Sequence, residues 1–415
     1  MVDTNLYNVL KERGLLYQCS DEEAFKKKLE SGEPLVVYEG SDPTADSLHI
    51  GHCVPYCILR RFQQAGHKVI LLMGGATACI GDPSGKDELR TMLSKEDIKR
   101  NVESIKKTLE VFLDFDGENP AEIVDNADWF SKINYIDFMR DYGVHFNINK
   151  MIASEIYRNR MEQGGLTFFE MGYMPMQAYD FVHLNRTKGV TIQYGGADQW
   201  GNIVAGVELQ RKLNFQNGTN VELIGATNPL LLTPEGKKMG KTAKGAIWIN
   251  RDKISAYDFY QGVYQTPDAC VEMMFALFTD IPMNEIRKMV ADDIVKAKET
   301  LSYELTKFVR GKEDADMARE ATLALFKNNG ADLDNVPTFK IEKSRLGEIT
   351  LIDVLSECKL CPSKSEARRM IEGGGIYVND EKIMDTKLVL SDNDFKEGYA
   401  LLRKGKKSYM KVELS

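Results

Sequence analysis

Two short segments of this chain carry residue types suited to holding phosphate. In the first, Leu48-His49-Ile50-Gly51-His52 follows an apolar run at residues 35–38 and opens a helical pattern. His49 and His52 stand three apart, so they share one face of a first helical turn. Free backbone N–H groups at such a turn favour anions, and two imidazoles can donate to phosphate oxygens. Gly51 removes a side chain and lets a flat base or a ribose approach the backbone. In the second segment, Lys238-Met239-Gly240-Lys241-Thr242 forms a glycine-bracketed loop between Leu230-Leu231-Leu232 and Ala246-Ile247-Trp248. Two lysines and a hydroxyl on such a loop can reach a departing pyrophosphate. Alone, the first segment also reads as a capped helix with two structural histidines, and the second as a surface loop. The two together, in this order and separation, are far more specific.

A third set of residues points to recognition of a small polar molecule. In Tyr173-Met174-Pro175-Met176-Gln177-Ala178-Tyr179-Asp180-Phe181, the proline suits a first helical turn. Tyr173, Gln177 and Asp180 then fall at i, i+4 and i+7, on one face of the helix. The alternative is a solvated stripe. A glycine-rich loop, residues 74–86, holds Asp82 and Lys86, which by default are ordinary loop residues.

These residues must be positioned by elements, and the hydrophobic patterning shows which. Residues 35–38 and 69–73 read as buried strands; residues 123–124 and 190–194 are weaker strand candidates. Helical periodicity separates them at residues 50–65, 98–112 and 201–213. Strand, helix and strand at this spacing predict βαβ units and a parallel sheet, hence an α/β fold. Residues 255–329, rich in Ala, Glu, Lys, Leu and Met, predict an all-helical domain. Residues 330–343, with Gly, Asp, Asn and Pro, suit a linker. A small α+β module follows, with helices at 350–357 and 363–372 and a strand at 376–378.

At this point a resemblance is evident. The first phosphate segment resembles the HIGH signature of class I aminoacyl-tRNA synthetases. The second resembles their KMSKS loop, with Gly240 and Thr242 where serines are usual. The glycine-rich loop, Arg60-Arg61-Phe62-Gln63-Gln64-Ala65-Gly66-His67 and the 173–181 segment are similar to bacterial tyrosyl-tRNA synthetases in particular. The resemblance implies a Rossmann-type catalytic domain at 1–248, a helical anticodon-side domain at 249–333, a linker at 334–345 and an RNA-binding module at 346–415. It implies a tyrosine pocket made by Tyr38, Asp82, Asn126, Tyr173, Gln177, Asp180 and Gln199. Asp180 and Tyr38 are expected on the substrate hydroxyl, Asn126 near the pocket through indirect contacts, and Trp129 in the same matching stretch. A pocket that pairs with that hydroxyl leaves its own polar groups unpaired when phenylalanine enters.

For ATP, the resemblance implies Gly40, Asp42, Thr44, His49, Gly51, His52, Gly196, Asp198, Lys238 and Lys241. Thr44, His49, His52, Lys86, Arg90, Lys238, Lys241 and Thr242 are the expected catalytic set. The amino acid carboxylate is already ionised at pH 7, so catalysis reduces to positioning and charge stabilisation. Mg2+ is expected to accompany ATP on its phosphates, with no protein metal cage. Glu39 stands where the family often has a small or apolar residue; it is expected to point aside or to bond the ribose.

Composition sets bounds on these readings. The chain has 415 residues, 43% hydrophobic and 28% charged, with a net charge of −8. That is a soluble globular profile with two or three domains. There is no apolar run long enough to cross a membrane and no secretory pattern at the N-terminus. Seven scattered cysteines fit a reduced, cytoplasmic setting. Residues 340–415 hold 15 Lys and Arg against 13 Asp and Glu, a net of +2, which leaves −10 for the remainder. Within them, Lys364, Arg368 and Arg369 begin a helix, and Arg403, Lys404, Lys406 and Lys407 form a second basic cluster. These stretches resemble a small RNA-binding module shared with a ribosomal protein, which implies tRNA contacts. Cys358 and Cys361 form a lone pair with no histidine nearby, a poor zinc site. By analogy with the family, a homodimer is expected. The rivals are a tryptophanyl enzyme, an inactive RNA-binding relative and a small nucleotidyltransferase. An indole offers no phenolic oxygen to Tyr38 and Asp180, an inactive relative has no need of intact His49, His52, Lys238 and Lys241, and the nucleotidyltransferase has no need of the Lys238 loop.

Overall fold

A computed structural model describes residues 2–45, 47–83, 94–162, 164–236, 239, 241–242, 245–326, 336–379, 381–395, 398–405 and 408–415; at 95, 241, 242, 245 and 324–326 it describes the backbone alone. The chain divides into two compact units. One holds Met1–Asn250 and Pro267–Ala297; the other holds Arg251–Thr266 and Lys298–Ser415.

The first unit is built on a six-stranded sheet of β1 (Gln18–Cys19), β2 (Val36–Ser41), β3 (Lys68–Met73), β4 (Glu122–Asp125), β5 (Ile192–Gly196) and β6 (Ile224–Asn228), in the order β1-β6-β5-β2-β3-β4. Every pairing is parallel except the antiparallel edge β1–β6. β3 is apolar along its length after its first residue, as suits a strand covered on both faces. In β3 every residue after Lys68 is buried. The helix Val54–Gln64 buries Tyr56, Ile58, Leu59 and Phe62 on one side. The helix Tyr173–Lys188 buries Ala178, Phe181 and Leu184, and ends at Gly189, whose φ of 73° permits the left-handed cap.

The four expected strands and the three expected helices of this region are present within a few residues of their anticipated ends. β6 was not anticipated. Its sequence, Ile-Gly-Ala-Thr-Asn, lacks the β-branched run that marks a strand, yet all five residues are buried. Its small side chains suit close helix packing: a Cβ on Gly225 would lie 2.4 Å from the Ile203 side chain.

Residues 255–329 are helical where described, in five helices from Ala256–Tyr264 to Lys312–Phe326. They do not all belong to one unit. The helix Val271–Phe278 joins the first, because Arg13 and Arg61 bind its end. Both donate to the carbonyls of Ala276 and Thr279 at 2.7–3.2 Å, and Asp280 pairs with Arg61.

The first unit also holds a short hairpin, β7 (Lys241–Thr242) and β8 (Gly245–Ala246); the second unit combines helices with a five-stranded sheet of β9 (Thr338–Ile341), β10 (Ile376–Val378), β11 (Glu381–Ile383), β12 (Tyr399–Lys404) and β13 (Ser408–Leu414), in the order β11-β10-β12-β13-β9. The helices Leu351–Glu357 and Lys364–Glu372 pack Val354, Leu355, Ala367 and Ile371 against Ile376, Leu402 and Val412. β9 lies in the segment read as a linker. It is a strand because its backbone pairs in parallel with β13, a long-range partner that no local pattern announces.

Candidate active site at the carboxyl edge of the parallel sheet

The strand order reverses between β2 and β5, which opens a crevice beyond their carboxyl ends. A partly open cavity lies there. β2 supplies Tyr38 and Gly40, the residue that follows the strand is Asp42, and β5 supplies Gln193. The helix Tyr173–Lys188 supplies Tyr173, Gln177 and Asp180, so the polar face inferred from spacing does face one cavity.

The deep end is a buried pair. Tyr38 is fully buried, tilted against the Phe181 ring at 5.3 Å, and its hydroxyl has no hydrogen-bond partner. Asp180 is 1% exposed. One of its oxygens accepts from Asn126 Nδ2 at 3.1 Å and the other from Trp129 Nε1 at 2.8 Å. Burial pushes the Asp180 carboxyl up, and these two donors counter the rise by stabilising the carboxylate. A carboxylate has about four acceptor positions, so Asp180 keeps capacity for another donor. Gln177 Oε1 and Gln193 Oε1 are also buried without a partner. An unpaired buried polar atom costs about 1–3 kcal/mol, so its persistence marks a surface built for a ligand. Gln193 was missed from sequence. Its signal was a polar residue inside an apolar strand, in register with Tyr38.

A second network lines the wall. Asp42 accepts from Tyr173 at 3.0 Å and from Thr77 at 2.8 Å, and Thr77 in turn accepts from Asn126 Nδ2 at 3.1 Å. Asn126 Oδ1 accepts from the Ala76 N–H at 2.7 Å, which fixes the amide's orientation. Asn126 therefore bridges both networks through Thr77 and Asp180. Asp42, expected on the nucleotide, shares this wall with the pocket residue Tyr173. Asp82 accepts from Gln199 Nε2 at 2.6 Å, which joins two expected pocket residues. Gly74 cannot carry a side chain here, since a Cβ would lie 2.1 Å from Asp42 Oδ1.

The phosphate segment lies in the same unit. Ile50–His52 is a tight 3-10 turn, which eclipses positions i and i+3. The His49 and His52 rings accordingly stack with centroids 3.6 Å apart. The stretch after the lysine loop is zipped onto this segment: Ile50 N–H donates to Ile247 O at 3.0 Å and Ile249 N–H to Leu48 O at 2.9 Å. A Cβ on Gly51 would lie 2.5 Å from Met239 O. Two motifs far apart in sequence thus touch through backbone. Thr44 is exposed, Asp198 is half-buried, and a Cβ on Gly196 would meet Asp198 Oδ1 at 2.7 Å, so that side chain would have to turn aside. Lys86, Arg90 and Lys238 lie outside the described residues, and Lys241 and Thr242 are described only as backbone of a two-residue strand paired to Gly245–Ala246.

Glu39 points aside. It alternates with Tyr38 along β2, is 5% exposed, and accepts from Ser41 Oγ at 3.0 and 3.1 Å; Tyr56 donates to that same Ser41 oxygen at 2.9 Å. Burial pushes its carboxyl up to about 8. A folded-state value above the unfolded 4.5 means that the native state holds the extra proton between those values. Stability therefore falls as pH rises from about 5 to 8, by at most about 1.4 kcal/mol per pH unit. Glu39→Gln keeps the shape and removes the titration. Denaturation midpoints at pH 5.5 and 8 should show the variant gaining on the parent at the higher pH; equal pH dependence in both proteins would contradict this assignment.

In the second unit, Lys364, Arg368 and Arg369 are exposed on the helix Lys364–Glu372, with Lys364 paired to Asp353 at 2.8 Å. Arg403 lies over the Tyr377 ring at 3.6 Å. Lys404, expected in the second basic cluster, is instead turned inward. The strand period turns it inward, 6% exposed, onto Glu366 at 2.5 Å. Lys406 and Lys407 lie outside the described residues.

Comparison with known proteins agrees with this architecture. The model of the family "tRNA synthetases class I (W and Y)" matches residues 30–327, and that of the "Tyrosine--tRNA ligase SYY-like C-terminal domain" matches residues 329–412. The chain is 47% identical over 413 residues to a tyrosine–tRNA ligase of Clostridium botulinum (strain Eklund 17B / Type B), covering 99% of each. It is 46% identical over 411 residues to that of Clostridium tetani, covering 98% of each. Among solved structures, a C-terminally truncated mitochondrial tyrosyl-tRNA synthetase of Aspergillus nidulans superposes with a TM-score of 0.68 at 30% identity, over 77% of this chain and 94% of that one. A tryptophanyl-tRNA synthetase of Encephalitozoon cuniculi shares the fold, with a TM-score of 0.54 at 13% identity over 76% of this chain and 90% of that one. The fold alone therefore does not separate the two amino acids, whereas the full-length similarity does. This chain belongs to the tyrosine–tRNA ligase family of class I aminoacyl-tRNA synthetases.

Proposed function

We propose that the cavity binds tyrosine with its phenol between Tyr38 and Asp180, and that the chain activates it with ATP and transfers it to tRNA(Tyr). The observation that carries this reading is the buried pair itself: a carboxylate with spare acceptor capacity beside a phenol without a partner. Asp180 accepts the substrate hydroxyl proton and Tyr38 bonds the same oxygen. Tyr173, Gln177 and Asp82 serve the ammonium group, and Gln199 lies toward the carboxyl end.

In the first step a tyrosine carboxylate oxygen attacks the α-phosphorus of ATP. The bond to the bridging oxygen breaks, and pyrophosphate leaves with the electron pair. Thr44, His49, His52 and the lysines of the 238–241 loop, with Lys86, Arg90 and Thr242, hold the charge that builds on it. Gly40 and Gly196 flank the nucleotide and Asp198 bonds its ribose, whereas the space beside Gly51, expected to admit a base or ribose, is taken by Met239 O. Mg2+ arrives with ATP as part of the substrate. In the second step a terminal ribose hydroxyl of tRNA attacks the activated carbonyl and AMP leaves. The exposed Lys364, Arg368 and Arg369, with Arg403, Lys406 and Lys407, meet tRNA phosphates. The helical part lies on the anticodon side. The setting is cytoplasmic. ATP-dependent attachment of labelled tyrosine to tRNA tests this reading; adenylate formation without transfer would refute its second half.

The enzyme works as a homodimer joined through residues 135–169. Eight of the fifteen exposed large apolar side chains among the described residues fall there, among them Ile136 at 67% exposure and Phe168 at 73%. Such clustering on a soluble protein marks an interface. Phe168→Asp should convert a dimer to a monomer in sedimentation velocity at about 1 μM, the range of moderate interfaces. A monomeric parent, or a variant that stays dimeric, would exclude this face.

A further inference from the structure

Asp180 depends on Trp129, and something must hold Trp129. The indole sits on the four-residue helix Ala127–Phe130, too short to fix a side chain by itself. Its ring is half-buried, and its Nε1 makes the 2.8 Å bond to Asp180. One turn beyond Asp180, the His183 imidazole stacks on that indole, with centroids 4.4 Å apart and planes 27° apart. Positions 180 and 183 share a helix face. The one helix thus takes the indole edge with a carboxylate and covers its face with an imidazole. We propose that His183 is a positioning residue for tyrosine selection: its stack on Trp129 holds the indole N–H against Asp180, and so keeps that carboxylate aimed into the cavity. Burial and the neighbouring Arg186 lower the proton affinity of His183, so no added charge competes for Asp180 at neutral pH.

The inference rests on the reading of the cavity as a tyrosine pocket, and two substitutions separate them. His183→Leu keeps bulk and loses the flat stack; His183→Phe keeps a flat ring without the imidazole nitrogens. In ATP–pyrophosphate exchange, His183→Leu should raise KM for tyrosine about fivefold to tenfold and lower the preference for tyrosine over phenylalanine by a similar factor, the loss of one hydrogen bond. Its kcat and KM for ATP should stay at parental values. His183→Phe should return the tyrosine KM to within about twofold of the parent. If His183→Leu leaves KM and preference unchanged, lowers kcat with both KM values raised, or is matched by His183→Phe, the inference fails while the pocket stands. If the parent does not exchange with tyrosine, the pocket reading fails first.

Discussion

Asp180→Asn should abolish efficient use of tyrosine while leaving the fold intact. In the parent, both Asp180 oxygens face donors, Asn126 Nδ2 and Trp129 Nε1. An asparagine has one acceptor oxygen and one NH2. Whichever way it turns, its NH2 faces another donor, and the substrate hydroxyl loses an anionic acceptor. The lost charge-assisted bond to the substrate hydroxyl costs about 1.5–3 kcal/mol in binding, and the buried donor left unpaired weighs on the fold instead. kcat/KM for tyrosine should fall by about 10- to 10²-fold, and discrimination against phenylalanine should fall with it. KM for ATP should not move. Stability should fall by about 1–3 kcal/mol, the cost of the buried donor left unpaired, with the fold retained. Unaltered discrimination would show that the carboxylate does not read the hydroxyl.

Gly51→Ala should strike the opposite end of the reaction. Its Cβ would lie 2.5 Å from Met239 O, a backbone atom that cannot rotate away, and about 3.1 Å from the His49 ring. Either the segment after the lysine loop shifts outward or the histidine turn does. A displacement of about 1 Å in a positioning element can cost about 10²-fold in rate. The activation rate should therefore drop by about that factor, with tyrosine affinity held within about twofold, since the tyrosine pocket lies on other elements. Stopped-flow adenylate formation beside equilibrium tyrosine binding separates the two. Loss of tyrosine affinity, or a parental rate, would contradict the roles given to the two motifs.

How far these features could be read in advance follows from their physics. Tyr173, Gln177 and Asp180 were legible because helical spacing is local. The His49–His52 face was legible for the same reason, although the turn proved to be 3-10. The contact between Gly51 and Met239 was foreshadowed only by the order of the motifs; nothing local states that backbone meets backbone. β6 and β9 escaped because each is defined by its partners: β6 by burial between neighbours, β9 by pairing with β13. Lys404 looked like one more surface cation until strand alternation placed it beside Glu366. Gln193 carries no motif of its own and Thr77 lay unmarked within the glycine-rich loop; only the convergence of β2, β3 and β5 places them at the cavity. Glu39 was anomalous by type. That it turns aside is set by its hydrogen bonds with Ser41, and beyond it by Tyr56, which sequence distance concealed.

The central claim is that one buried pair, Tyr38 and Asp180, selects the amino acid that ATP activates. Amino-acid-dependent ATP–pyrophosphate exchange, run with tyrosine, phenylalanine and tryptophan in turn, tests it most directly. Rapid exchange with tyrosine, and none above background with the other two, is the predicted result. Exchange with tryptophan, or with none of the three, would contradict it.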